Sequence, residues 1–116
     1  MQTERELKLR CKLWVENRFE GRLVNISPKG VNGYPDSDLM IPGCPIVKIE
    51  FKRSEKSPMK PGQAAWGQWL ISAGLHYWVI WNFQTFVSRC EDHWIDRGIH
   101  RGIVNSTVGR RNMADG

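Results

Sequence analysis

Apolar residues recur along this chain at two periods, and the switches between them divide it into elements. From Glu4 onward, Leu7, Cys11, Trp14 and Val15 gather on one face at 100° per residue, as in an amphipathic helix. Thr3-Glu-Arg-Glu6 at its head fits a capping box, in which hydroxyl and carboxylate each satisfy a free amide. Leu9 and Leu13 fall on nearly the opposite face. Such a second stripe meets either a partner subunit or another part of the chain. Residues 17–33 lose the helical pattern and carry Gly21, Pro28, Gly30 and Gly33, which predicts a short strand around Arg22 to Ile26 and then a loop.

Period two takes over in Asp36 to Ile41 and again in Ile46 to Lys52, on either side of Pro42-Gly43, a pair suited to a type II turn. Residues two apart share a face of a strand, so Glu50 and Lys52 point one way while Val47, Ile49 and Phe51 point into a core. The register stays open. An even-length turn sets Asp36 opposite Phe51, whereas an odd-length turn or a bulge sets it beside Glu50 or Lys52.

After a polar stretch from Arg53 to Pro61, a helix is expected from Gly62 to Ser72, with Gln63 in its first turn and Trp66, Trp69 and Leu70 facing the core. Gly74 is expected as its left-handed cap. Leu75 to Trp81 reads as a buried strand, and Thr85 to about Arg97 as a helix with Phe86, Cys90 and Trp94 at core spacing. Residues 98–116, with Arg101, Arg110 and Arg111, read as a basic, flexible tail. The order α-β-β-β-α-β-α implies an α/β sandwich with a mixed central sheet over residues 1–97.

At 116 residues the chain is one domain, able to bury roughly two thirds of its extended surface. A net charge of +5 favours polyanionic partners. Three cysteines without a CxxC pair argue against a disulfide framework and for a reducing, cytoplasmic setting. Cys90, His93 and His100 lack the second close pair that a zinc site needs. No signal peptide is read, and no apolar run approaches the roughly 18 residues that span a membrane.

The chemistry concentrates in Glu50-Phe-Lys52 with an acidic residue one hairpin strand away. A carboxylate beside an ammonium, with a second carboxylate near it, suits a hard divalent cation. Glu-x-Lys alone recurs by chance on half-buried strands; the order of its surroundings makes it informative. Glu4, Gly33-Tyr-Pro-Asp36, Glu50-Phe-Lys52, Gln63, Gly74 and the strand after it span residue 4 to about residue 90. In that order they resemble the virus-type replication-repair nuclease (VRR-NUC) domain of the PD-(D/E)xK superfamily. The match is to a small, stand-alone, phage-like member. This chain departs from the pattern in having Ser37-Asp38 between the Asp and the apolar residues.

The resemblance implies a restriction-endonuclease-like fold and a Mg²⁺- or Mn²⁺-dependent DNA endonuclease acting on branched, Holliday-junction or flap DNA. It implies metal held by Asp36, Glu50 and the Phe51 carbonyl, with Asp38 in reserve and Glu4 a further candidate through a water. The metal would activate water and offset charge on the phosphate. Lys52 would orient or deprotonate the attacking water or stabilise the oxyanion, and Gln63 would hold the water or a phosphate. Lys29, Arg53, Lys56 and Lys60 flank the site as phosphate contacts, and Tyr34 is placed to touch DNA. The tryptophan pairs read as core rather than as stacking platforms. A homodimer in the cytosol of a host cell is expected. The competing readings are a general or nicking nuclease and a noncatalytic DNA-binding module.

Overall fold

The first helix, α1 (Glu4–Phe19), starts where its sequence says it should. Thr3 Oγ1 accepts from the Glu6 amide at 3.1 Å and Glu6 Oε1 accepts from the Thr3 amide at 2.7 Å, closing the capping box. Leu7, Cys11, Val15 and Phe19 are buried, whereas Leu9 and Leu13 are each 56% exposed. The structure, a computed structural model, describes residues 2–26, 28 and 30–104. No described segment covers those two leucines.

Four strands follow: β1 (Arg22–Asn25), β2 (Ser37–Met40), β3 (Val47–Phe51) and β4 (His76–Ile80), side by side in that order. The first three run antiparallel in sequence, and β4 lies parallel to β3 because α2 (Pro61–Ser72) carries the chain back across the sheet. The restriction-endonuclease-like α-β-β-β-α-β-α order with a mixed sheet is thus present. One sheet face, with Leu39, Val47, Ile49, Phe51 and Ile80, packs with the buried residues of α1 and of α3 (Phe83–Val104) into a single core. The opposite face of β3 carries Lys48, Glu50 and Lys52 toward α2. Glu50 and Lys52 are therefore buried as well.

The hairpin settles the register. Pro42-Gly43 turns with Gly43 at φ 82° and a 2.9 Å bond from the Cys44 amide to the Ile41 carbonyl, as type II geometry requires. The ladder pairs Leu39 with Val47, Asp38 with Lys48 and Ser37 with Ile49. The connection is therefore odd in length, and one step beyond the ladder Asp36 stands beside Glu50.

Helix α2 ends in a Schellman motif: Leu75 donates to the Leu70 carbonyl at 2.9 Å and Gly74, at φ 81°, to that of Ile71 at 3.0 Å. Its inner face is Gly67 and Leu70, not the expected tryptophans. Gly67 lies so close to the Tyr77 ring that an added Cβ would come within 2.6 Å of it. That approach sets the helix rotation and turns Trp69 outward, 59% exposed.

Helix α3 begins two residues before Thr85, capped by Asn82, whose side-chain oxygen accepts from the Thr85 amide at 2.8 Å. It also runs past Arg97 to Val104, so residues 98–104, expected in the tail, are helical; residues 105–116 lie outside the described region. Phe86 and Cys90 are buried as expected, but His93 takes the next core position and Trp94 is 38% exposed against Phe19. At 3.6 residues per turn, the seventh residue after Phe86 stays on the stripe better than the eighth.

Gly33 and Gly74 both hold a left-handed backbone, but only Gly33 is crowded. A Cβ there would fall 2.3 Å from the Gly62 carbonyl carbon, whereas at Gly74 it would meet nothing within 4 Å. Gly74→Ala should cost about 1 kcal/mol, the strain of φ alone. Gly33→Ala should cost clearly more by chemical denaturation, because the start of α2 must move.

Candidate active site

Asp36 comes from the loop end before β2, Glu50 from the buried face of β3, Lys52 from just past its end, and Gln63 from the first turn of α2. The close approach of Gly33 to Gly62 presses the loop carrying Tyr34, Pro35 and Asp36 onto the head of α2. Gln63 then joins the pieces. Its Oε1 accepts from Lys52 Nζ at 2.7 Å and from the Lys60 amide at 3.0 Å, while its Nε2 donates to Glu50 Oε2 at 3.1 Å. The same side chain thus closes the first turn of α2 and ties it to β3. Lys52 Nζ also donates to the Pro58 carbonyl at 3.1 Å. Two of its three possible donors are thereby committed.

Asp36 is held from three directions. Its Oδ2 accepts from the Phe51 amide at 3.3 Å and lies 3.5 Å from Lys8 Nζ, and its Oδ1 accepts from the Ser37 hydroxyl at 2.8 Å. Asp38, two residues on, is paired instead with Lys48 at 2.9 Å. Glu4 reaches the edge of the cluster, 3.7 Å from Lys8. Among the described residues no three His, Cys, Asp or Glu side chains gather into a coordination shell of their own. Asp36 and Glu50 are the carboxylates that converge. Two hard carboxylate oxygens fit an ion that keeps much of its hydration, as Mg²⁺ does.

The site's electrostatics point the same way. Burial pushes the Glu50 carboxyl up from its ordinary value to about 7, and Asp36 adds to that push against the opposing pull of Lys52. Burial, with help from Glu50 and Asp36, also raises the Tyr77 phenol to about 12, so it is neutral at physiological pH.

Of the expected DNA contacts, Arg53, Lys56 and Lys60 are exposed on the loop that leads into α2, and Tyr34 stands half-buried against Trp66 at 4.9 Å between ring centroids. Lys29 lies outside the described residues. Sequence reasoning missed Lys8, although Glu4 and Lys8 at i,i+4 would have signalled it. It also missed a groove of about 310 Å³ beside the site, lined by Arg5, Lys8, Leu9 and Lys12 of α1 together with Leu23, Asn25 and Ser37. Those three cations recur at helical spacing, which was a readable signal. Tyr77 carried none, because its nearness depends on Gly67.

No family model matches the sequence, and no curated protein does. Comparison with solved structures decides the fold. A VRR_NUC domain shares 24% identity at a TM-score of 0.62, over 77% of this chain and 96% of that one. A VRR_NUC domain protein shares 22% identity at a TM-score of 0.65, over 79% and 88%. The fold is that of VRR-NUC domains. Gly33-Tyr-Pro-Asp36 and Glu50-Phe-Lys52 meet at one end of the sheet, where the network above connects them. Among the described residues no helix is long and apolar enough to cross a membrane.

The Glu50 shift has a definite sign in stability. The unfolded chain releases this proton near the ordinary value of 4.5 and the folded chain near 7. Its contribution is thus complete below 4.5 and is lost as pH rises through 7. In EDTA, native protein should lose on the order of 2 kcal/mol between pH 4.5 and 8 relative to Glu50→Gln. Parallel denaturant titrations of the two proteins would measure it.

Proposed function

We propose that this chain is a divalent-metal-dependent DNA endonuclease that hydrolyses phosphodiester bonds in branched DNA. The observation that carries the proposal is the meeting of Asp36 and Glu50 beside a Lys52 ammonium that Gln63 holds in place. A fold shared with VRR-NUC domains supports it. A noncatalytic binding module would have no use for a buried carboxylate, Glu50, whose ionisation opposes folding near neutral pH.

Asp36, Glu50 and the Phe51 carbonyl would hold Mg²⁺ or Mn²⁺, with Glu4 contributing through a water. The ion would lower the pKa of a bound water and offset charge gathering on the phosphate. Lys52, with one donor uncommitted, would bond a scissile phosphate oxygen or the attacking water. Gln63 fixes the direction of that donor and keeps Glu50 aimed into the site. Asp38, already neutralised by Lys48, has a supporting place on the sheet. Arg5 and Lys12 on one side, and Arg53, Lys56 and Lys60 on the other, would take flanking phosphates in a salt-dependent manner.

The Leu9/Leu13 face supports assembly. Burying each leucine against a second copy would contribute about 1.5 to 3 kcal/mol. A two-fold pairing would present two sites to two strands. That arrangement suits four-way junctions, and a lone site suits nicking.

Glu50→Gln should abolish cleavage while leaving the fold intact, and Lys52→Ala should slow it by about two or more orders of magnitude. Asp36→Asn should be far more damaging than Asp38→Asn. Plasmid, single-stranded and four-way-junction DNA incubated with Mg²⁺, Mn²⁺ or EDTA would test all four; near-normal cutting by the first two variants removes the assignment. For assembly, light scattering should give a dimer at micromolar concentration that Leu9→Glu/Leu13→Glu dissociates. A native monomer would refute the paired arrangement.

A further inference from the structure

Along α2, away from Gln63, the surface changes from charged to aromatic. Tyr34, Trp66 and Trp69 form a row of rings, each meeting the next nearly at right angles, at 4.9 Å and 77° and then 5.9 Å and 75°. The row begins two residues before Asp36 and three after Gln63. It ends at Trp69, six residues from Gln63 or about 9 Å along the helix axis. Trp66 and Tyr34 also wall a hollow of about 570 Å³ whose other side is Ile26, Pro28 and Val31. Trp66 and Trp69, with Ala65, border a second hollow of about 300 Å³. Trp69 leaves 59% of itself in water beside the smaller of these hollows, which is costly unless something else covers it.

We propose that the Tyr34–Trp66–Trp69 row binds unpaired DNA bases by stacking, and so holds the single-stranded arm next to the bond to be cut. The inference rests on the endonuclease reading and adds a substrate class to it. Three features select this occupant. Bases inside a duplex have both faces covered by their neighbours, whereas unpaired bases offer free faces, and aromatic side chains accept any of them. The row is continuous with the candidate active site, so one strand can pass from Lys52 and Gln63 onto the rings. A cation stands where its phosphates would run, Lys60 at the head of α2.

The test measures binding in EDTA by fluorescence anisotropy, on a blunt duplex and on the same duplex with an oligo-dT tail. Native protein should prefer the tailed duplex. Each base–aromatic stack contributes about 1 to 3 kcal/mol, roughly 5- to 150-fold in affinity. Trp69→Ala should therefore reduce the tailed-to-blunt affinity ratio about tenfold or more. Trp69→Phe should retain most of the preference, and Trp66→Leu should lose it. Trp69 is mostly exposed, so its variants should fold, and circular dichroism checks that. An unchanged ratio in Trp69→Ala overturns the proposal. So does a fall in native mass on light scattering of Trp69→Ala, which would make a second copy the occupant. Cleavage plays no part in the readout. A chain inactive on every DNA would refute the nuclease reading, while the affinity ratio would still decide the stacking site.

Discussion

Two carboxylates facing each other at the end of a buried sheet govern how the rest of this structure is arranged. Glu50 is 5% exposed and Asp36 lies beside it, so burial first and Asp36 second raise the cost of ionising Glu50. Removing Glu50 from water is costly, and the fold gives each carboxylate its own donors. Gln63 of α2 donates to Glu50, while the Phe51 amide and Lys8 of α1 hold Asp36. These partners compensate only partly, which is why the Glu50 carboxyl sits near 7. A buried carboxylate kept at a cost to stability is the kind of group that marks a functional site.

Gln63 shows how closely local folding and the site are joined. As the third residue of α2 it reaches back to the Lys60 amide, the ordinary task of a glutamine in a helix's first turn. That same geometry fixes which end of the amide is oxygen, and so lets it accept from Lys52 while donating to Glu50. The glycine pair Gly33 and Gly62 makes this possible by letting two backbones touch. A side chain on Gly33 would separate the Asp36 loop from the helix that completes the cluster, and one on Gly62 would press on the Asn32 carbonyl at 3.2 Å.

Much of this was legible in the sequence, because the signals were local. The capping box, the Pro42-Gly43 turn and the Gly74 cap each depend on a few adjacent residues, and all three formed. Strand alternation correctly sent Val47, Ile49 and Phe51 to one core and Glu50 and Lys52 to the other face. What could not be read was set between elements. The hairpin's register depends on whether its connection is odd or even, and the same residues allow both. The outward turn of Trp69 follows from Gly67 meeting Tyr77 across the sheet, and periodicity within α2 gave the tryptophans the inner face instead. Lys8 belongs to the site because α1 passes the end of β2, a fact of packing rather than of pattern.

Placement of charge and aromatic surface around the carboxylates gives the site a direction. Arg5, Lys8 and Lys12 line one side, and the rings of Tyr34, Trp66 and Trp69 lead away on another. Cations attract phosphates of paired and unpaired DNA alike, so the α1 groove distinguishes little by shape. Lys12 is also turned to Glu16 at 2.8 Å, and Lys8 is shared between Glu4 and Asp36, which weakens that side further. Rings accept only bases whose faces are free. If the endonuclease and stacking proposals hold, an asymmetric pair of walls, one cationic and one aromatic, would be a low-cost way to sense where a duplex ends.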